Sequence, residues 1–237
     1  MAPKVLIVLT SQRTIPSTGN PTGWYLPEFA HPHNVLKDKV ELTVASPQGG
    51  DAPLDPGSIK MFESDATSTT FLNTQRDLWT KTHRLAEMLP RAGEFDAIFY
   101  VGGHGPMFDI TSNPTSLALL QSLAAAKKPI AAVCHGSCAL LNATAPSGTP
   151  LLASATVTGF SNEEEEQVGM MAAMPFALET ELNRVSGGRY VRADQPWGEK
   201  VVVSTAAGTG GVLITGQNPA SATGVAVELL KALGVQQ

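Results

Sequence analysis

The chain has 237 residues, enough for one large domain, or a core domain with an insertion, around a substantial hydrophobic core. An apolar fraction of 43% and a charged fraction of 16% mark a globular protein, and a net charge of −5 with no basic run excludes a nucleic-acid binder, since phosphate recognition needs clustered Lys and Arg. Two cysteines four positions apart form no disulfide framework and suit a reducing, cytoplasmic compartment.

The first predicted element is KVLIVLT at 4–10, an apolar run too short to cross a bilayer and without the longer apolar region or cleavage site of a secretory signal, so it reads as a buried first strand and no membrane attachment is expected. A helical segment PEFAHPHNVLKDK (27–39) follows, then a second strand VELTVAS (40–46). Residues 47–73 are rich in Gly, Pro, Asp, Ser and Thr and read as a long surface loop. TQRDLWTKTHRLAEML (74–89) reads as a helix and FDAIFYV (95–101) as a strand; SLALLQSLAAAKK (116–128) and PIAAV (129–133) repeat the pair. ATVTGF (155–160) reads as another strand, 161–199 as a helical cap insertion, KVVVST (200–205) and GVLITG (211–216) as strands, and PASATGVAVELLKAL (219–233) as a closing helix. Near-continuous apolar strands need a sheet buried on both faces, and their alternation with helices predicts a doubly wound, mostly parallel α/β sandwich of flavodoxin-like type, a single domain over 1–237 with a cap at about 161–199.

In such a sheet, ligands bind beyond the carboxyl ends of the strands. Three polar clusters fall there: Cys134-His135-Gly136 after PIAAV, Gly102-Gly103-His104-Gly105 after FDAIFYV, and Glu28 on the return from the first strand. A cysteine in a tight strand-to-helix turn is ionised by the positive end of the helix and is flanked by free backbone N–H groups, the logic of a nucleophile elbow; the competing reading is a buried structural thiol. His135 suits general acid–base work, or else caps the helix. Gly102 and Gly103 let the backbone approach a ligand and offer oxyanion donors, with His104 at the mouth or in a structural role. Glu28, if buried beside Cys134, has a raised pKa and can relay a proton; otherwise it is a surface group. SNEEEEQ (161–167) reads as an N-capped helix with an acidic first turn, and Cys138 as an inert packed thiol. His31 and His33 lack a third ligand, so no metal site is expected.

Six ordered motifs, TGWYLPEFAHP, ASPQGGDAPLDPGS, GGHGPMFD, AAVCHG, TVTGFSNEEE and LITGQNPASA, together resemble the ThiJ/PfpI superfamily, with its class I glutamine-amidotransferase-like fold, and in particular its heat-shock chaperone/glyoxalase III branch. The resemblance runs from Lys4 to about Leu233. It implies a Cys134 nucleophile with His135 beside it, Glu28 hydrogen-bonded to the thiol, and a carboxylate orienting the histidine, placed on Glu165 with Glu164 as the alternative. It implies cofactor-independent conversion of methylglyoxal, a small 2-oxoaldehyde, to D-lactate without glutathione, by a homodimer. Trp24, Tyr25 and Phe160 either wall a small substrate pocket or pack in the core. Two other readings stay open: a cysteine hydrolase of amides, glycated adducts or isonitriles, and a stress chaperone or oxidation sensor without turnover.

Overall fold

A computed structural model describes residues 2–236. Seven strands, β1 (Lys4–Val8), β2 (Glu41–Ser46), β3 (His83–Arg84), β4 (Ala97–Tyr100), β5 (Ile130–Val133), β6 (Val201–Thr205) and β7 (Val212–Gly216), form one sheet in the order β3-β2-β1-β4-β5-β7-β6. Every pairing is parallel except β6 with β7. The central strands carry the sequence signature of burial on both faces: all of β4 and β5, and Val5–Val8 of β1, are buried. Edge strand β6 instead alternates, with Val202 buried and Val203 exposed.

Strand order reverses beside β1, where β2 lies to one side and β4 to the other. Crossovers leaving in opposite directions must, if right-handed, place their helices on opposite faces. One face carries helix Leu26–Leu36 packed on helix Ala222–Ala232; helix Pro114–Ala125, between β4 and β5, packs on the segment Leu85–Glu94. This is the α/β fold expected, and its crevice at the carboxyl ends of β1, β4 and β5 is the switch point where such sheets bind ligands.

Three expected elements differ. Residues 155–160 form no strand: β5 is already paired by β4 and β7, and the segment makes a single bridge, Val157 to Tyr190, while its Thr158 N–H donates to Thr215 Oγ1 (3.0 Å). The helix expected over 74–89 is broken. Buried Thr82 bonds Ser46 Oγ (2.8 Å) and the Gly50 carbonyl (2.8 Å), drawing His83–Arg84 onto β2 as β3. The loop expected over 47–73 holds two short helices, Pro56–Met61 and Ala66–Thr74, each started by an aspartate, Asp55 or Asp65, that accepts from the serine N–H three residues on. In 161–199, helices Asn162–Gln167 and Leu178–Val185 are followed by an irregular stretch held by Tyr190, which donates to the Gly159 carbonyl (2.8 Å). No helix among the described residues is long and apolar enough to cross a membrane.

Candidate active site

β5 ends at Val133, and the chain turns at once into a 3-10 stretch, Cys134–Leu140. Cys134 makes the turn with φ +56°, a left-handed conformation that few non-glycine residues adopt and that clusters at functional sites. Gly136 permits it: a Cβ there would press on the backbone of Tyr100 and Val101 at the end of β4. The elbow thus brings Cys134 beside the turn after β4, where Gly103 has φ +94° and its missing Cβ leaves room for the Gly23 carbonyl.

His135 Nδ1 lies 3.2 Å from Cys134 Sγ, and His135 Nε2 lies 2.6 Å from Glu165 Oε2. The other Glu165 oxygen, Oε1, is 2.8 Å from His104 Nε2. An ionised carboxylate only accepts, so both histidines donate from Nε2. That fixes the His135 tautomer and leaves its Nδ1 lone pair facing the thiol. Burial would raise Glu165, but the charge of His135 and hydrogen bonds from both histidines hold its carboxyl well below the usual range. Burial keeps His135 below the ordinary histidine value although Glu165 opposes this, so at neutral pH the ring is uncharged and able to take a proton.

The thiol itself departs from the sequence expectation. Burial pushes Cys134 well above the ordinary thiol value and the neighbouring Glu28 carboxyl adds to the rise, whereas the backbone N–H groups of His135 and Gly103 pull the other way. Helix-end polarity alone would hold the sulfur ionised; a cysteine 3% exposed beside a carboxyl group keeps its proton at rest. The group able to remove that proton is His135.

Glu28, fully buried, lies on the first turn of helix Leu26–Leu36, whose backbone docks where the Tyr25 N–H donates to the Gly102 carbonyl (3.1 Å). Neither Glu28 oxygen has a hydrogen bond of good geometry among the described residues; the polar groups that bias its proton are the Cys134 thiol and the Gly102 backbone. Burial raises its pKa to about 8, so it is a neutral acid at pH 7. Gly102 therefore turns its backbone to Glu28, and Gly103 with His135 turns N–H groups to the sulfur.

A cavity of about 40 Å³ opens onto Cys134, walled by Tyr25, Glu28, Gly103, His104, His135 and Phe160. Phe160 lies over the His135 ring at 4.4 Å between centroids. Trp24 does not reach it: it is wholly buried in an aromatic cluster with Phe29, Phe71 and Trp79, its indole N–H donated to the Ala52 carbonyl (3.2 Å). His31 and His33 also diverge, the first bonding Asp65 (2.6 Å), the second packing on Phe71 (5.0 Å). Among the described residues, His104, His135 and Glu165 place three ligand-type atoms within 4.8 Å of one another, a chelating set already satisfied by its own hydrogen bonds.

Sequence reasoning missed Val168, Trp197 and Pro219, which close the mouth of the cavity. It also missed the work of Glu164. This buried side chain makes no hydrogen bond to His135 and acts on it only through its charge. Its Oε2 completes a capping box with Ser161, and its Oε1 accepts from the Trp197 N–H (2.9 Å) and from Asn218 Nδ2 (2.8 Å), tying helix Asn162–Gln167 to Trp197 and to the end of β7. The only sequence signal for this was the Ser-x-x-Glu spacing at 161–164.

Comparison with known proteins bears on the family and the fold. The DJ-1/PfpI family model matches residues 27–232. A glutathione-independent glyoxalase of Saccharomyces cerevisiae is 31% identical, covering 98% of this chain and 99% of its own length. Glyoxalase 3 of Candida albicans is 28% identical over 97% of this chain and 98% of its own. Among solved structures, the 24 kDa rapid encystment protein of Francisella tularensis superposes with a TM-score of 0.82 at 31% identity, covering 98% and 99% of the two chains. Glyoxalase III from Candida albicans gives 0.85 at 24% identity over 97% of each chain.

Proposed function

The chain belongs to the DJ-1/PfpI family, and on that premise we propose that it is a glutathione-independent glyoxalase, a lyase that converts methylglyoxal to D-lactate through Cys134. The observation that carries this reading is Glu28: a buried, unpartnered carboxyl, neutral at pH 7, beside a cysteine that already has its own base. Acyl transfer needs a thiol, a base and oxyanion donors. Moving hydrogen between two adjacent carbons also needs an acid that gives a proton at one oxygen and recovers it at another, which is the role open to Glu28.

His135 Nδ1 takes the Cys134 proton, its charge supported by Glu165, and Sγ attacks the aldehyde carbon. The oxyanion that forms lies by the Gly103 and His135 N–H groups and takes the proton back from His135, giving a hemithioacetal. Neutral His135 then removes the hydrogen from the first carbon while Glu28 protonates the oxygen on the second, giving an enediol. His135 returns its proton to the second carbon, the first-carbon hydroxyl returns one to Glu28, and a lactoyl thioester remains. Water hydrolyses the thioester and restores the thiol. The sum is methylglyoxal plus water to lactic acid.

A cavity of about 40 Å³ holds a few water-sized groups and so suits a three-carbon substrate. The mechanism requires reduced Cys134, and both cysteines are free, which supports a reducing cytoplasmic setting. We read the assembly as a homodimer from the family resemblance, which sedimentation velocity tests. The reading as a whole is tested by incubating purified protein with methylglyoxal in the absence of any thiol. D-lactate forms with the parent chain and is abolished by Cys134→Ala; amide or isonitrile hydrolysis without lactate would replace this reading with a cysteine hydrolase.

A further inference from the structure

The catalytic cavity does not stand alone. A second pocket, of about 380 Å³, adjoins it, and the two share the walls Tyr25, Trp197 and Pro219. The outer pocket is mainly apolar and is lined by Phe62 and Met61, whose Sδ accepts from the Tyr25 hydroxyl (3.3 Å). The Phe62 ring meets Tyr25 edge-on at 5.9 Å, and Met61 is 67% exposed, a large apolar side chain left facing solvent at the site's entrance. An apolar cavity of ~150 Å³ suffices for a benzene ring, so the outer pocket has room for a substituent that the inner one excludes.

Trp197 is the partition. It has φ +65°, a left-handed conformation that a non-glycine residue keeps only where the surroundings impose it. Here the Glu164 carboxylate fixes its backbone N–H (2.9 Å), while the indole ring rests edge-on against Phe160 (5.5 Å) and donates from Nε1 to Gln167 Oε1 (2.6 Å). The backbone anchor is buried at the carboxylate, whereas the indole bond lies at the surface, open to competition from water. The pinned backbone holds the ring between a small reactive cavity and a larger apolar one.

We propose that the outer pocket is a second subsite, which takes the aryl or branched alkyl group of a 2-oxoaldehyde whose two carbonyl carbons lie in the inner cavity, and that Trp197 sets how large that group is allowed to be. The proposal rests on the glyoxalase reading for its chemistry and on the shared walls for its geometry. Phenylglyoxal plus water gives mandelic acid by the same sequence of proton transfers.

The test compares kcat/KM for methylglyoxal and phenylglyoxal in the parent, Trp197→Ala and Ala220→Trp; Ala220 is an exposed residue that lines only the outer of these two pockets. The parent turns over both substrates. Trp197→Ala raises the phenylglyoxal-to-methylglyoxal ratio about tenfold, and Ala220→Trp lowers it about tenfold with methylglyoxal turnover unchanged, a magnitude usual for filling or opening an apolar pocket. A binding measurement separates the two layers of the argument: acetophenone, which lacks the aldehyde, shifts the Met61 methyl resonance by ring current. The shift without methylglyoxal turnover overturns the glyoxalase reading and keeps the subsite. Methylglyoxal turnover with no shift and an unchanged substrate ratio in both variants overturns the subsite.

Discussion

Replacing Glu28 by glutamine keeps the side chain's shape and removes its titration. In the folded chain the carboxyl holds its proton up to about pH 8, whereas the unfolded chain loses it near the ordinary value of 4.5. Folding therefore takes up a proton between those limits, and the stability of the parent falls as pH rises through that window. Each pH unit crossed inside the window costs the parent about 1.36 kcal/mol. Between pH 5 and pH 7 the parent should lose about 2–3 kcal/mol relative to Glu28→Gln, approaching about 5 kcal/mol above pH 9. Any fixed cost of burying the amide offsets both ends equally, so the slope is the diagnostic quantity. Urea unfolding of parent and variant at half-unit steps from pH 5 to pH 9 gives the difference directly. A difference that stays flat across that range means Glu28 ionises at its ordinary pH in the folded chain, and the neutral acid on which the mechanism depends is not there.

The remaining expectations follow from the same geometry. The pH profile of kcat/KM for methylglyoxal has a basic limb near pH 8, as Glu28 loses its proton, and an acidic limb below 6.5, because burial lowers His135; a rate still climbing at pH 9 would return the nucleophile to a pre-ionised thiol. Glu165→Gln frees the His135 tautomer and removes the charge that supports its protonated form. It costs about 10³–10⁴ in kcat and moves the acidic limb to lower pH, whereas a loss under tenfold contradicts the His135–Glu165 relay. Gly102→Ala places a methyl group on Glu28 Oε2 and within 2.7 Å of the Val133 carbonyl and 2.8 Å of Cys134 Cβ. It lowers lactate formation at least about 100-fold, on the scale of misplaced reacting groups, with the circular dichroism spectrum kept; parental rates in this variant refute the close packing of the three groups.

The sheet was legible because β1, β4 and β5 are apolar on both faces, a pattern few other environments demand, and because Gly and Cys fall where those strands end. Elements held by long-range contacts were not. Nothing local in THR at 82–84 announces a strand; the hydroxyl of Thr82 reaching Ser46 and Gly50 makes it one. Likewise ATVTGF has strand composition, yet both sides of β5 are taken by β4 and β7, and the segment makes only the bridge from Val157 to Tyr190. In the site, the strand ends brought out Cys134 and His135, while the roles of Glu28 and Glu165 came from the family resemblance. The protonation of the thiol depends on burial by residues distant in sequence, and local helix polarity pointed the wrong way. Trp24 and Tyr25 are neighbours of one type, and only docking of the loop after β1 decides that Tyr25 faces the cavity while Trp24 faces the core. Trp197 lies in a stretch with no periodicity, where sequence offers no handle.

The proposal that Cys134 carries the substrate is tested most directly by acid-quenching the protein during methylglyoxal turnover and mapping the modified peptide by mass spectrometry. The expected result is a substrate-derived adduct on Cys134, absent from Cys138, that decays as D-lactate accumulates. Lactate forming at the parental rate while Cys134 stays unmodified at every quench time, or forming in the Cys134→Ala variant, contradicts it.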